Sequence, residues 1–156
     1  GPLDALRVAW WAERGFWHGA LRGPDFMSRV VSAALAVLWW PSSPMVVVSH
    51  LRAMRRTSAR YYLAPARDAV IGVVATAEGW SVVDHLSSRP GTGQGQVLRA
   101  LVAPALITMA DAGGVAITAT ASTARLAEAY EGEFPGLRDV GPRWPRGHRM
   151  RREPQT

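Results

Sequence analysis

Apolar positions in the first forty residues recur at helical spacing. Leu3, Leu6, Trp10, Trp17 and Leu21 mark one stripe, with Asp4 near its start and Gly23-Pro24 as a stop. A second apolar-rich run, 26–40, has Asp25 as a candidate N-cap and Pro41 as its end. After Pro41-Ser42-Ser43-Pro44 the texture becomes β-like. Met45 to Val48 reads as a short strand, Ser58 to Leu63 as another, and Ala69 to Ala77 and Trp80 to Ser88 as stronger ones. Arg67-Asp68 and Glu78-Gly79 supply turns, so the later strands should form an antiparallel meander. The run from Val97 to about Ala112 is helical, with Leu98, Leu101, Val102, Ala105, Leu106 and Met109 on one face and Gly113-Gly114 closing it. A strand over 115–121 follows, then a helix from Thr123 to about Glu131 capped by Ser122 or Thr123. Strands near 137–140 and 148–152 complete the pattern.

The chain of 156 residues is long enough for one domain, expected over 3–156, with Gly1-Pro2 set aside as the remnant of a cleaved tag. It has no cysteine, which excludes disulfides, thiolate metal sites and a cysteine nucleophile. All 18 basic residues are arginine, so Schiff-base chemistry and a phosphate-loop lysine are excluded as well. The net charge is +6. Arg52, Arg55, Arg56 and Arg60 form one acid-free stretch; Arg143, Arg146, Arg149, Arg151 and Arg152 form another. Such a balance favours phosphorylated or polyanionic partners. No apolar run approaches a bilayer span and no leader-like segment opens the chain, so a cytoplasmic protein without a membrane contact is expected. Five of the seven tryptophans lie in the first forty residues, where most should pack in the core and some could line an acceptor wall.

The chemistry concentrates at a strand, Gly91-x-Gly93-x-Gly95 turn and helix. Glycines at alternate positions let backbone N–H groups approach a ligand, and the helix start adds free N–H groups and a dipole, which together suit a pyrophosphate. Competing phosphate motifs fit poorly. A phosphate loop needs Gly-Lys-Ser/Thr, and a dinucleotide fingerprint needs an acidic residue after a second parallel strand, whereas Asp111 falls on the helix itself. His18, His50, His85 and His148 are scattered without metal-ligand spacing, and no serine sits in a nucleophile elbow.

From about Tyr61 onward the chain resembles the GNAT N-acetyltransferase superfamily. The resemblance rests on WSVVDHLSS, RPGTGQGQ with VLRALVAPALITMADAGG, VAITATA, and TARLAEAYEGEFPGL. It implies an α/β (α+β) fold: a mixed, mainly antiparallel central sheet flanked by helices, preceded here by two N-terminal helices. It also implies acetyl-CoA as acyl donor. Its pyrophosphate would lie on Gly91, Thr92, Gly93, Gln94, Gly95 and Gln96, and its pantetheine arm along the backbone of Leu86, Ser87 and Ser88. Three departures stand out. Pro90 replaces the family's arginine or glutamine, Thr123 the asparagine that often opens the penultimate helix, and Gly136-Leu137 the Gly-Phe pair.

Acyl transfer to an amine requires a group that takes the amine proton, a donor for the developing oxyanion and an acid for the leaving thiolate. The resemblance nominates Tyr130 as that acid, and backbone N–H groups near Leu86 to Ser88 are the candidate oxyanion donors. Asp84 and His85 lie on the strand leading to the turn, on opposite faces by alternation, and are the candidate bases; Glu78 is a third. Tyr130 and His85 also have plain structural readings, as a packed helix tyrosine and a satisfied histidine. The acceptor is left open among an RNA-linked amine such as aminoacyl-tRNA, a protein amine and a small anionic metabolite; a polycationic aminoglycoside fits less well. A homodimer is a further expectation. The rival reading is a non-catalytic module of the same fold that binds nucleic acid or a protein partner.

Overall fold

The computed structural model describes residues 2–144 and 147–155, so Gly1 of the tag remnant and Arg146 of the second arginine stretch lie outside the described residues. The order of elements is α1 (Pro2–Arg22), α2 (Phe26–Met54), β1 (Ala59–Leu63), β2 (Ala69–Thr76), β3 (Gly79–Ser87), α3 (Gln94–Ala112), β4 (Ile117–Ala121), α4 (Ala124–Glu133), β5 (Arg138–Pro142) and β6 (His148–Arg152).

Helix α1 has Asp4 in its first turn and Arg22 in its last, both favourable to the helix dipole. It buries Ala5, Val8, Ala9, Trp11 and Ala12. Asp25 caps α2 with its carboxylate, accepting from the Ser28 N–H at 2.8 Å and from the Ser28 hydroxyl at 2.7 Å. The two helices approach closely because Gly19 has no side chain: a Cβ there would lie 2.7 Å from Ser32 Oγ.

Two expectations in this region are corrected. The second helix does not give way to a strand at Met45–Val48, since α2 resumes at Ser42 and runs to Met54, its two parts meeting at 90°. Pro41 interrupts the hydrogen-bond ladder, but Pro44 falls in the first turn of the resumed helix, where a missing N–H leaves no bond unmade. The Ser42 hydroxyl donates to the Leu38 carbonyl at 2.7 Å across the break. The N-terminal tryptophans are also less buried than expected. Trp11 is in the core and Trp39 half-buried, but Trp10, Trp17 and Trp40 face outward beside Phe26, Met27 and Leu38. No single helix among the described residues is long and apolar enough to cross a membrane.

One six-stranded sheet runs in the order β1-β2-β3-β4-β6-β5. Every neighbouring pair is antiparallel except β3 and β4. Strand alternation turns Ile117, Ala119, Ala121 and Met150 toward Leu106, Ala110, Tyr130 and Phe134, which forms the larger core beneath α3 and α4. On the opposite side Val8 and Trp11 of α1 pack on Val70, with Tyr61, Leu63, Leu86 and Met54 around them.

The C-terminal strand is tied in by a buried ion pair. Arg152, only 2% exposed, donates from Nη1 and Nη2 to the two carboxylate oxygens of Asp111 at 2.6 and 2.8 Å. Its Nε reaches the Pro135 carbonyl at 2.8 Å, and the Gln155 N–H adds a 2.7 Å bond to Asp111. Removing Arg152 empties a buried site and frees the last strand from both Asp111 and the Pro135 carbonyl. Arg152→Ala is therefore expected to lower the melting temperature by roughly 10 °C, and Arg152→Lys to recover only part of it, because an ammonium cannot fork onto both oxygens. Thermal melts of the two variants check this.

Candidate active site

Strand β3 joins β4 at only two positions, Trp80 with Ile117 and Ser81 with Thr118. Beyond Ser81 the strands part, and the edge of β3 turned toward β4 carries backbone groups without a ladder partner. A bulge sits at the parting: Gly72 pairs with Val83 and Val70 with Leu86, so Asp84 and His85 together oppose Ile71. Asp84 takes a left-handed backbone (φ 49°), which aspartate tolerates better than most residues.

The two candidate bases fall on opposite faces, as alternation predicts. Asp84 turns to the α2 side, where its carboxylate accepts from the Tyr61 hydroxyl at 2.7 Å and pairs with His50 Nε2 at 3.6 Å. Burial alone would raise the Asp84 carboxyl, but the bonds from His50 and Tyr61 outweigh it and hold it below the ordinary value. The same bond from Asp84, helped by the Val46 carbonyl, holds His50 above its own. Neither His50 nor Tyr61 was singled out from the sequence. Their contact with Asp84 depends on the bend in α2 and on strand register.

His85 turns to the other side, against α3 and α4. Its Nε2 lies 3.2 Å from the Gly95 carbonyl, which accepts, and 2.9 Å from Arg99 Nη1, which donates, so these two contacts ask opposite roles of that nitrogen. Nδ1 lies 3.0 Å from the Tyr130 hydroxyl and 3.1 Å from Arg99 Nη1. Arg99 itself, 5% exposed, forks onto Glu133 and places its guanidinium 5.0 Å over the Tyr130 ring. Burial, with the Arg99 charge beside it, pushes His85 down to about 4. Burial also pushes Tyr130 up to about 12. His85 is thus neutral at physiological pH, and Arg99 is the member of this group that sequence patterning missed. On a helical face of apolar residues, its only signal was its position four residues after Gly95.

A cavity of about 690 Å³ opens where β3 and β4 part. Its walls are the middle of α1, the end of β3, the glycine turn, and the first turns of α3 and α4. Arg22, Arg99 and Arg125 line it and no acidic residue does. The α3 N-terminus has no side-chain cap: its N-cap is Gly93, left-handed at φ 83°, and a Cβ there would meet nothing within 4 Å. Thr123 caps α4, its hydroxyl accepting from the Leu126 N–H at 3.2 Å.

Of the residues nominated for a cofactor, Leu86, Ser87, Gly91, Gly93, Gly95 and Gln96 line this cavity, and so does His85. The side chains of Ser88, Thr92 and Gln94 are spent on the turn. Gln94 Oε1 accepts from the Ser88 hydroxyl and the Arg89 N–H, its Nε2 donates to Asp68, and the Thr92 hydroxyl donates to the Arg89 carbonyl. The Ser88 N–H bonds the Asp68 carbonyl at 2.7 Å. Alternation along β3 then turns the N–H and C=O of Ser87 toward the parted edge. Tyr130, 4% exposed, lies behind His85, and Glu78 is at the far end of β3.

No family model and no curated protein matches the chain. It is similar to the PaiA N-acetyltransferase of Thermoplasma acidophilum, whose structure is a complex with coenzyme A. The TM-score is 0.63 at 10% identity, over 98% of this chain and 94% of that one. It is also similar to Escherichia coli ElaA, with a TM-score of 0.46 at 17% identity, over 83% and 93% of the two chains. The first likeness spans nearly both chains, and this chain has the GNAT acetyltransferase fold.

Two outcomes are expected of this site. With a folded value near 4 against 6.5 unfolded, the unfolded chain binds more protons in that interval, so His85 makes stability fall as pH drops from 6.5 toward 4. The full effect is on the order of 3 kcal/mol. His50 works in the opposite sense, its contribution being present below pH 6.5 and lost as pH rises through its raised value. His85→Gln, which does not titrate, is expected to flatten the fall in melting temperature between pH 6.5 and about 4. Gly95→Ala is expected to destabilise the protein, because its Cβ would lie 2.6 Å from His85 Nε2; melts of this variant alone and with His85→Ala test that cause.

Proposed function

We propose that the chain is an acetyl-CoA-dependent N-acetyltransferase. The observation that carries the reading is the acid-free cavity at the parted strands, where the uncapped α3 N-terminus and the guanidiniums of Arg22 and Arg125 converge. Such a lining suits the phosphates of coenzyme A. Open space over Gly93 would let a pyrophosphate approach the backbone, with the N–H groups of the α3 first turn as donors. The free edge of β3, led by Ser87, suits an extended amide-bearing arm.

Acetyl-CoA, when bound, supplies an activated acyl thioester. The Ser87 N–H, aimed into the gap, is the donor for the acyl oxygen. The departing thiolate takes its proton from solvent, with the Arg99 guanidinium at the cavity wall to stabilise it and Tyr130, the acid that the resemblance nominates, bonded to His85 behind. Asp84, on the opposite face, accepts the amine proton, and His50 and Tyr61 orient its carboxylate. The acceptor is an amine borne by RNA, protein or a small metabolite, entering from the α2 side. A second copy covering the exposed Phe26, Met27 and Leu38 belongs to the same reading.

One observation favours a second reading, a non-catalytic binding module of this fold. Two of the three nominated bases have low proton affinity, His85 through burial and the Arg99 charge, Asp84 through its bonds from His50 and Tyr61.

A thermal-shift titration with acetyl-CoA, CoA and inorganic phosphate separates the two. Enzyme and cofactor-binding readings expect stabilisation by the coenzymes that phosphate does not reproduce and that Gly93→Trp abolishes. No shift with acetyl-CoA up to millimolar concentration would reject acyl transfer. Where binding is found, release of CoA thiol in the presence of an amine can be followed without background, because the protein has no cysteine of its own.

A further inference from the structure

The sheet has a second bare surface. Ile117, Ala119 and Ala121 of β4 and Met150 of β6 turn into the core under α3 and α4, so Thr118, Thr120, Arg149 and Arg151 turn the other way. Register sets them in rows. Ser81, Thr118, Arg151 and Arg138 are cross-strand neighbours in sequence along one row, and Thr120 and Arg149 lie in the next. Helices α1 and α2 cover this side only over the other half of the sheet. A groove of about 440 Å³ here is lined by strand residues, Glu78 of the β2–β3 turn and the segment after β5, with no helical residue.

The charge in this groove is unbalanced. Arg138 stands directly opposite Arg151, an arrangement of like charges that destabilises a sheet unless an anion bridges them. Arg143 bonds the Thr120 hydroxyl and Arg151 pairs with Glu153 at 2.6 Å, while Arg149 has no partner among the described residues. Glu78 is the acidic residue of the lining. At the rim stands Trp144, 91% exposed, a flat aromatic surface that no part of the described chain covers.

We propose that this face binds single-stranded nucleic acid, with phosphates on the guanidiniums of Arg143, Arg149 and Arg151 and an unpaired base stacked on Trp144. A row of guanidiniums suits successive phosphates, each accepting a forked pair of bonds. The hydroxyls of Ser81, Thr118 and Thr120 on the floor suit sugar and phosphate oxygens. The strand must be single, because a base reaches an aromatic face only when it is free of its pair. An acidic peptide would satisfy the arginines and leave Trp144 with no role. The inference does not depend on acyl transfer: the face is separate from the coenzyme cavity and shares no lining residue with it.

The test is fluorescence anisotropy of the full chain with a labelled oligouridylate of about ten nucleotides, at several salt concentrations from about 50 mM upward. A polyglutamate peptide of equal charge serves as comparator. Three phosphate contacts predict a log–log salt slope of about −2, made shallower by about 0.7 in Arg149→Gln. Trp144→Ala should weaken binding roughly tenfold and leave the slope unchanged. Both side chains are exposed, so melting temperature and the acetyl-CoA thermal shift should match the parent. Failure to bind the oligonucleotide at low salt overturns the proposal, as does binding that neither substitution alters. Equal binding of polyglutamate, indifferent to Trp144, would overturn it in favour of an acidic protein partner.

Discussion

One extra residue in β3 sets the arrangement of everything around the site. Without the bulge at Asp84, β3 would stay in register with β2 along its length, and nothing local would mark the point near which it leaves β4. With it, Asp84 takes a left-handed backbone and lies against Tyr61 and His50, while His85 drops to the opposite side against Gly95 and Tyr130. The strand beyond runs with one edge bonded to β2 and the other facing the cavity. Parted parallel strands leave backbone groups that must find a partner. Here the gap between them is the cavity itself.

Arginine does three different jobs in this chain, and the differences follow from surroundings. Arg99 is buried and matched: it forks onto Glu133, packs over Tyr130 and adds its charge to the burial that lowers His85. Arg152 is buried and matched to Asp111, and holds the last strand to α3. Arg22, Arg125 and Arg149 have no such partners among the described residues and line the cavity and the groove. A lysine could supply the charge of the last group, though not a forked pair of bonds. It could not replace the first two, where planar geometry satisfies two acceptors at once.

What the sequence made legible is what depends on local spacing. The meander of β1 to β3, the glycine turn, the Asp25 and Thr123 caps and the opposite orientations of Asp84 and His85 all follow from periodicity and turn chemistry. Met45 to Val48 was misread because three successive valines favour a strand by well under 1 kcal/mol each, a preference weak enough for the helix on both sides to override. Arg99, His50 and Tyr61 were missed for another reason. Their roles arise from residues 14 to 34 positions away in sequence, and no local pattern reports such pairings. Gln94 shows the reverse error. It sits inside a phosphate-like motif, yet its side chain closes the turn through Ser88, Arg89 and Asp68.

The glycines of the turn show how one motif can answer to two constraints. Gly93 is free of steric demand from the protein, and only its left-handed backbone and the space above it call for glycine. Gly95 is called for by the protein itself, since His85 occupies the place of its Cβ. The Gly95 carbonyl in turn lies 3.2 Å from His85 Nε2. The glycine that admits the imidazole thus also sets its carbonyl against one ring nitrogen, while the other faces Tyr130. A bulkier residue at 93 would obstruct a ligand in a folded protein, whereas a bulkier residue at 95 would first displace His85 and then the Arg99 and Tyr130 network behind it. The two positions look equivalent in sequence, yet a left-handed backbone calls for glycine at one and an imidazole calls for it at the other.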